Sequence, residues 1–381
     1  MFQQEPIVPD QRSPIDFLWF LPSSGDQRYL ASTIGARTSS PAYLRQVAIA
    51  ADELGFSGAL LPTGAYCADA WITAASVAPF TERLRLLVAL RPGLTLPAES
   101  VRQAVALDRL SNGRLLLNVV TGGSDALMQQ DGIFLGHQGR YEQTAEFLDI
   151  FRRLAMGDTV TREGKYLSLK RGKLQFPFVQ RPYAPIWFGG SSDIAREIAA
   201  EHVDVYLAWG EPPKQLKEVV DDVRERAARR GRTIRFGIRL HFIVRETEGE
   251  AWDAAKDLIR YVSDSEIDAF QRAIATTESV GQQRMRDLHR GSREALEVSP
   301  NLWAGIGLVR TGAGTALVGD PDAIAARLQE YADIGIDTVI GSGYPHLEEA
   351  YRVAELLFPK LKLNHGRAQL PGGFAPPGQG A

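Results

Sequence analysis

The sequence predicts an α/β fold, a (β/α)8 TIM barrel with insertion segments, from an alternation that runs along nearly the whole chain. Short apolar segments alternate with longer amphipathic ones, as strands and helices do in such barrels. Eight of the short segments are almost continuously apolar, which is typical of parallel strands covered by helices. They are residues 17–21, 59–61, 84–90, 115–120, 186–188, 203–207, 236–244 and 338–340.

The amphipathic segments between them predict helices, and several have recognisable ends. Pro97 suits a first helical turn, and Gly55 and Gly231 suit the positions just after a helix. An open doubly wound sheet is the competing architecture, but the turn after the first strand, residues 23–26, lacks the glycine fingerprint of a dinucleotide site. The predicted helices are residues 43–54, 98–110, 141–156, 214–230 and 347–357.

Three stretches do not follow the alternation. We predict an N-terminal extension over residues 1–15, then one barrel domain over residues 16–362. Residues 264–314, called the insertion below, are long, polar and charged, which predicts either disorder or an active-site lid. Residues 363–381 form a Pro/Gly-rich tail that cannot build a core.

Composition excludes several classes of protein. The 381 residues carry 43 Lys+Arg and 46 Asp+Glu, a net charge of −3 that argues against a nucleic-acid-binding protein. No apolar run reaches the roughly 18 residues that a membrane span needs. The N-terminal residues do not look like a signal peptide, and the single cysteine, Cys67, suits a reducing compartment, so we expect a cytoplasmic protein. The sequence lacks P-loop, nucleophile-elbow and paired-histidine metal motifs, so no metal site is predicted.

Two predicted strand ends carry residues suited to anions. The run Gly189-Gly190-Ser191-Ser192-Asp193 joins a strand to a helix start, where backbone N–H groups and hydroxyls can hold a phosphate. A plain glycine turn with Asp193 as the helix cap is the alternative.

Arg239 and His241 lie two positions apart in a predicted strand, so both side chains should face the same side of the sheet. Two potentially cationic groups in a barrel mouth need an anionic ligand or a carboxylate partner, and both remain open. Arg310, at the end of the insertion, is either an anion clamp or a surface charge. Aromatic residues at strand ends form either a pocket wall or ordinary core: Trp19, Phe20, Trp209 and Tyr344.

Together these motifs resemble those of the two-component alkanesulfonate monooxygenases, a branch of the bacterial luciferase-like flavin barrels. The resemblance covers roughly residues 16–360. It is carried by the following segments: residues 17–26, 61–71, 107–114, 118–123, 189–193, 209–213, 236–241, 299–305 and 342–349. The sequence departs from the family at Ala65-Tyr66 and Ala68, which flank Cys67 in place of charged and polar residues.

The resemblance implies a barrel enzyme that uses reduced FMN, delivered by a separate NAD(P)H-dependent FMN reductase, together with O₂. The reaction would cleave the C–S bond of an alkanesulfonate, giving an aldehyde and sulfite for sulfur assimilation. The enzyme is expected to be a homo-oligomer, either a dimer or a tetramer. By position, the resemblance implies substrate-side roles for Arg239, His241, Arg310 and Tyr344, with Trp209 in the pocket wall and Cys67 as the active-site cysteine. It implies contacts with FMN for a second set of residues: Thr63, Asn118, His137, Tyr141, Ser191 and Ser192.

Chain length of the sulfonate is left open, with short substrates such as methanesulfonate included. Two other functions also remain. One is a monooxygenase for dimethylsulfone or another neutral organosulfur compound, which would not require two arginines in its pocket. The other is a non-catalytic barrel that stores or carries FMN.

Overall fold

The protein is described by a computed structural model over residues 14–275 and 277–364. The strands are β1 Asp16–Phe20, β2 Gly58–Leu61, β3 Arg85–Leu90, β4 Leu115–Val119, β5 Val160–Glu163, β6 Ser168–Gly172, β7 Ile186–Phe188, β8 Val205–Trp209, β9 Arg235–Val244, β10 Glu297–Ser299, β11 Leu302–Trp303, β12 Ala316–Gly319 and β13 Thr338–Ser342.

The helices surround these strands. They are α1 Pro41–Glu53, α2 Ala70–Val77, α3 Pro97–Leu110, α4 Asp125–Gln130, α5 His137–Ala155, α6 Asp193–His202, α7 Pro213–Arg229, α8 Glu248–Leu258, α9 Asp264–Ile274, α10 Val280–His289, α11 Pro321–Asp333 and α12 His346–Arg352. The predicted helix ends are confirmed where they were marked. Pro97 opens α3, and Gly55 and Gly231, with φ of 90° and 65°, follow α1 and α7.

Eight parallel strands close into a barrel in the order β1-β2-β3-β4-β7-β8-β9-β13, with β13 pairing back to β1. Each predicted strand overlaps one of these eight, so the (β/α)8 architecture is confirmed. The sixth strand begins at Val205 rather than at residue 203 and extends to Trp209. The shift places Trp209 at the strand's C-terminal end.

The barrel interior is filled by alternate residues of the strands, as the two-residue period requires. These interior side chains form one cluster: Leu18, Phe20, Leu60, Leu87, Leu116, Trp187, Val205, Leu207 and Ile340. The residues between them face outward and pack against the helices. Trp19 belongs to the outward set and packs against Phe56. The interpretation of Trp19 as part of a pocket wall is therefore wrong.

The insertion is folded, and disorder is the wrong alternative for its described residues. It contains α9 and α10, followed by β10 and β11, which join β12 in an antiparallel extension of the barrel sheet. β12 then pairs in parallel with the second half of β9, beyond the last residue of β9 that pairs with β8. The insertion is therefore built onto the C-terminal end of the barrel strands.

The predicted terminal segments lie mostly outside the described residues. Ile15 and Leu363, at the inner edges of those two segments, pair in an isolated parallel bridge. Within residues 14–275 and 277–364, none of the helices combines the length and the apolarity needed to cross a membrane.

Candidate active site

The C-terminal end of the barrel brings Arg239 and His241 onto the interior face of β9, as predicted. Arg239 pairs with Ile340 of β13, and His241 pairs with Ser342. Leu240, between them, packs in the outer core. β9 thus carries two nitrogen-rich side chains into the space above the apolar interior cluster.

Arg239 and Arg310 meet over the ring of Phe20. Their guanidinium carbons lie 4.4 Å and 6.0 Å from its centroid, and that of Arg310 is also 5.3 Å from the centroid of Tyr344. Within the part of the chain that the structure describes, neither arginine forms a salt bridge, and Arg239 Nε is buried without a hydrogen-bond partner. The carboxylate partner that was the alternative for Arg239 is therefore absent from the described residues. Two cations share one aromatic wall.

Both guanidinium groups have lowered pKa values. Burial is the main cause at Arg239, and repulsion by Arg310 adds to it, so the pKa of Arg239 falls to about 9. Burial also lowers the pKa of Arg310 to about 10, although the Cys67 thiol and Asp26 oppose the shift. Both groups remain charged at neutral pH, so an anion entering this space would relieve their desolvation and repulsion.

His241 contributes no second positive charge. Its side chain is buried, and burial, followed by Arg310 and Arg239, lowers its pKa well below the usual value. Its Nε2 lies 3.3 Å from Arg310 Nη1, and its ring stacks on Tyr344 with the centroids 5.5 Å apart. The cationic partner of Arg239 is therefore Arg310, and His241 is a neutral imidazole behind it.

Cys67 lies near the same arginines, in the turn after β2. Its backbone N–H donates to Gly64 O at 3.0 Å. Burial raises the pKa of the Cys67 thiol, although Arg310, Arg239 and Arg91 each favour the thiolate. The group is therefore a neutral thiol at neutral pH, close enough to the cations to interact with them but not ionised by them.

The run predicted to hold a phosphate, residues 189–193 (the cradle below), lies at the N-terminus of α6. Ser192 is the residue that precedes the helix, so the cap is Ser192 and not Asp193. A Cβ atom on Gly190 would lie 2.6 Å from that of Ala195, and one on Gly189 would lie 2.5 Å from Leu207 O, so both positions need glycine. Tyr206 OH holds the turn by donating to Gly190 O at 2.7 Å.

Tyr141 connects this cradle to α5. Its hydroxyl would lie 3.3 Å from a Cβ atom on Gly190, and its ring centroid is 4.7 Å from that of His137. Ser192 Oγ is buried beside the Tyr141 hydroxyl, yet it makes no hydrogen bond of normal geometry within the described residues. A buried hydroxyl without a partner at a helix N-terminus suits an anionic ligand group.

The remaining predicted cofactor residues lie at the same end of the barrel. Asn118 is buried in β4, where it pairs with Ala89 and Trp187 of the flanking strands, and Thr63 follows β2. Because Leu116 faces the interior, the two-residue period turns Asn118 inward as well. The structure places Asn118 on the interior face of β4 and Thr63 just beyond β2, and it gives no contact within the described residues between either one and the cradle.

Trp209 ends β8, and the insertion packs against it. A Cβ atom on Gly281 of α10 would lie 3.2 Å from the Trp209 ring and 3.5 Å from Ser191 Oγ. α10 therefore lies over the space between Trp209 and the cradle. The insertion therefore lies next to Trp209, predicted at the substrate, and next to Ser191, predicted at the cofactor.

Polar contacts from Arg284 and Thr277 fasten the insertion to the barrel, and one from Gly312 joins two of its own parts. The sequence did not reveal them. Arg284 Nε on α10 donates to both carboxylate oxygens of the buried Glu211, at 3.0 and 2.9 Å. Gly312 N, two residues after Arg310, donates to Gln282 Oε1 at 2.9 Å. Thr277 Oγ1 donates to Gly123 O at 2.8 Å.

A buried Asp26–His346 pair was also missed. The Asp26 carboxylate accepts from His346 Nδ1 at 2.8 Å, from the His346 backbone N–H at 2.7 Å and from the Tyr43 hydroxyl. His346 packs edge-on against Tyr344, with the centroids 5.2 Å apart. The two residues are 320 positions apart, and only the closing of β13 against β1 brings them together.

Known proteins share this fold. The family model of the luciferase-like monooxygenases matches residues 15–338, and the chain belongs to that family.

Solved structures share the fold at low sequence identity. A riboflavin lyase solved with modified FMN and riboflavin superposes with a TM-score of 0.75 at 18% identity, over 93% of this chain and 94% of that one. The protein DmoA from Hyphomicrobium sulfonivorans gives 0.74 at 16% identity, over 92% and 88%. The long-chain alkane monooxygenase LadA gives 0.73 at 19% identity, over 91% of each chain.

Proposed function

We propose that this protein is a two-component, FMN-dependent monooxygenase that desulfonates alkanesulfonates to an aldehyde and sulfite. The observation that carries the proposal is the Arg239–Arg310 pair over Phe20, with no salt bridge to either arginine in the described residues. Two desolvated guanidinium groups without counter-charge are costly unless the ligand supplies it. A sulfonate is a permanent anion whose oxygens can accept paired N–H bonds from guanidinium.

A neutral sulfone fits the same site less well. It would leave both cations uncompensated in a space where burial already lowers their pKa values. The dimethylsulfone function is therefore the weaker candidate, and it becomes an outcome of the experiments below. A sulfonate bound between Arg239 and Arg310 would instead offset the desolvation and mutual repulsion of the two guanidinium groups, and this would strengthen its binding.

The flavin phosphate would be held by Ser191 and Ser192 at the N-terminus of α6, where the buried Ser192 hydroxyl makes no hydrogen bond of normal geometry with the described residues. Asn118 and Thr63 would contact the flavin from β4 and the β2 turn, and His137 and Tyr141 from α5. Reduced FMN supplies the electrons that activate O₂. An NAD(P)H-dependent reductase is the proposed partner that delivers it, in keeping with the resemblance to two-component enzymes.

The chain's own residues would bind, orient and enclose the substrate. Arg239 and Arg310 hold the sulfonate, and the neutral His241 fixes Arg310 from behind. Tyr344 and Trp209 form aromatic walls, and Cys67 keeps an un-ionised thiol beside the cations. α10, fastened by Glu211, covers the space against water, which protects water-sensitive chemistry.

The test is sulfite release from sulfonates of one to ten carbons, supplied with reduced FMN and O₂. We expect sulfite only when all three reactants are present, and at least about a 100-fold loss in kcat/KM in Arg239→Gln. The matched control is Arg109→Gln, because Arg109 is exposed in the last turn of α3. No sulfite from any sulfonate would reject the proposal. Tight binding of oxidised FMN without turnover would favour the FMN carrier instead.

A further inference from the structure

Asp26 fixes the tautomer of His346. The Asp26 side chain is fully buried, and in addition to its contacts with His346 and Tyr43 it accepts from Gln27 N at 2.8 Å. Burial alone would raise its pKa, but the neighbouring His346 and the hydrogen bonds from His346 and Tyr43 hold the pKa of Asp26 below its usual value. An ionised carboxylate can only accept, so His346 Nδ1 must be the donor.

The other ring nitrogen of His346 is therefore an available acceptor. In the neutral ring, a proton on Nδ1 leaves the lone pair on Nε2. This atom is buried, and within the described residues it has no hydrogen-bond partner. The imidazole lies 5.3 Å from Phe20, centroid to centroid, and Phe20 is the ring that both arginines cover.

His241 has the opposite role although it carries its proton on the same atom. Arginine can only donate, so the 3.3 Å contact with Arg310 makes His241 Nε2 the acceptor and leaves the proton on Nδ1. That N–H is buried and makes no hydrogen bond of normal geometry among the described residues, although the backbone of Thr315 interacts with the ring. Both rings contact Tyr344, that of His241 stacked and that of His346 edge-on. The two histidines therefore differ in the lone pair on Nε2: that of His241 is occupied by Arg310, and that of His346 has no partner among the described residues.

We propose that His346, oriented by Asp26, is the base that accepts the proton from the carbon next to sulfur; this rests on the function proposed above. Overall, a primary sulfonate, O₂ and reduced FMN give an aldehyde, sulfite, water, oxidised FMN and one proton. That proton comes from the C–H bond that breaks as the C=O bond forms and the C–S bond is cleaved with its electrons leaving on sulfite. His346 Nε2 takes the proton, and Asp26 stabilises the resulting imidazolium.

His241 is less suited to this task. Its lone pair already accepts from Arg310, and protonation would place a third positive charge beside Arg239 and Arg310. The two histidines therefore differ in their partners. Asp26 accepts from His346, and Arg310 donates to His241.

The first test needs neither substrate nor cofactor. In the ¹⁵N spectrum of histidine-labelled protein at neutral pH, assigned with His346→Gln and His241→Gln, we expect both residues to be protonated on Nδ1. An Nε2-protonated His346 would overturn the proposal, because its Nε2 could not then accept a proton. This readout is independent of whether any sulfonate is turned over.

The second test compares Asp26→Asn with Tyr43→Phe, which removes a different partner of Asp26 and leaves the carboxylate and His346 in place. In Asp26→Asn we expect kcat to fall about 100-fold, with KM and affinity for reduced FMN within about twofold. A sulfonate deuterated next to sulfur should show a larger isotope effect on kcat in Asp26→Asn, because proton transfer becomes rate-limiting. Tyr43→Phe should retain the wild-type isotope effect.

Two results would contradict this role for His346. An unchanged isotope effect in Asp26→Asn, with kcat and KM altered together, would make the pair purely structural. Equal isotope effects in Asp26→Asn and Tyr43→Phe would show that the carboxylate has no special part. Absence of sulfite with the wild-type enzyme would reject the proposed function itself, and with it this assignment, whatever tautomer the spectrum shows.

Discussion

Arg310 Nη1 lies 3.3 Å from His241 Nε2, and this contact joins the end of the insertion to the interior of the barrel. The arginine comes from a segment that the barrel repeat does not require, whereas the histidine is part of β9. The anion site proposed here therefore exists only when the insertion is folded against the strands.

Arg310→Gln should lower kcat/KM for a sulfonate by at least about 100-fold, because one of two charge-assisted contacts to the anion is lost. The melting temperature should change by less than about 2 °C, since Arg310 forms no salt bridge with the described residues. Steady-state kinetics and differential scanning calorimetry on the same preparations measure both. A large drop in melting temperature would indicate a structural role for Arg310.

Arg239→Met should stabilise the ligand-free protein, by about 2 °C in melting temperature at pH 7, because it removes a desolvated cation that repels Arg310. The folded pKa of Arg239 is lowered from 12.5 to about 9, so above pH 9 the unfolded chain binds more protons than the folded one. The penalty is therefore fully present below pH 9 and is relieved as the pH rises towards 12.5.

The measurement is a pair of thermal unfolding series, wild type and Arg239→Met, between pH 7 and pH 10.5. The difference in melting temperature should be largest up to about pH 8 and should narrow above pH 9. Saturating sulfonate should reverse the order at pH 7 by stabilising only the wild type. A variant that is less stable without ligand at every pH would contradict the unpaired-cation interpretation.

Gly190→Ala should weaken FMN binding at least about tenfold, because the new Cβ atom would meet Ala195 at 2.6 Å and disturb the turn that precedes α6. Flavin fluorescence titration, under anaerobic conditions for the reduced form, gives the affinity. Gly136→Ala is the control, since a Cβ atom there meets nothing within 4 Å. Equal affinity in the two variants would remove the cradle from the cofactor site.

Arg284→Met should loosen α10, because it leaves the Glu211 carboxylate buried without its partner. We expect faster hydrogen exchange at residues 280–289, by about 30-fold for a local loss of about 2 kcal/mol. Barrel-strand amides should be unaffected. The exposed Lys256→Met on α8 serves as the control. Uniformly faster exchange through the barrel would mean that the pair stabilises the whole fold rather than the insertion.

The barrel was predictable because its signal is local. Buried parallel strands need continuous apolar runs, and the two-residue period correctly put Arg239 and His241 on the interior face of β9. The same period excludes Trp19 from the barrel interior, because its neighbours Leu18 and Phe20 face inward. The strand-to-helix turn at residues 189–193 was recognisable because its glycines and helix start are adjacent in sequence.

The rest depended on contacts between distant parts of the chain. Asp26 and His346 carry no local motif, and neither residue alone distinguishes a buried pair from two surface groups. The order in the insertion had one overlooked local signal, the Ser263–Glu266 capping box at the start of α9. The pairing of Glu211 with Arg284 had no local sequence signal, because a single charged residue is expected to face solvent unless its partner is known.

The central claim, that Arg239 and Arg310 together select an anionic sulfur substrate, is tested most directly with two compounds of equal carbon chain. One is an alkanesulfonate, and the other is the neutral methyl sulfone of the same alkyl group. With reduced FMN and O₂, the wild-type enzyme should oxidise the sulfonate with a kcat/KM at least about 100-fold higher than the sulfone, and Arg239→Gln should erase most of that preference. Equal turnover of the two compounds, or an unchanged preference in Arg239→Gln, would contradict the account.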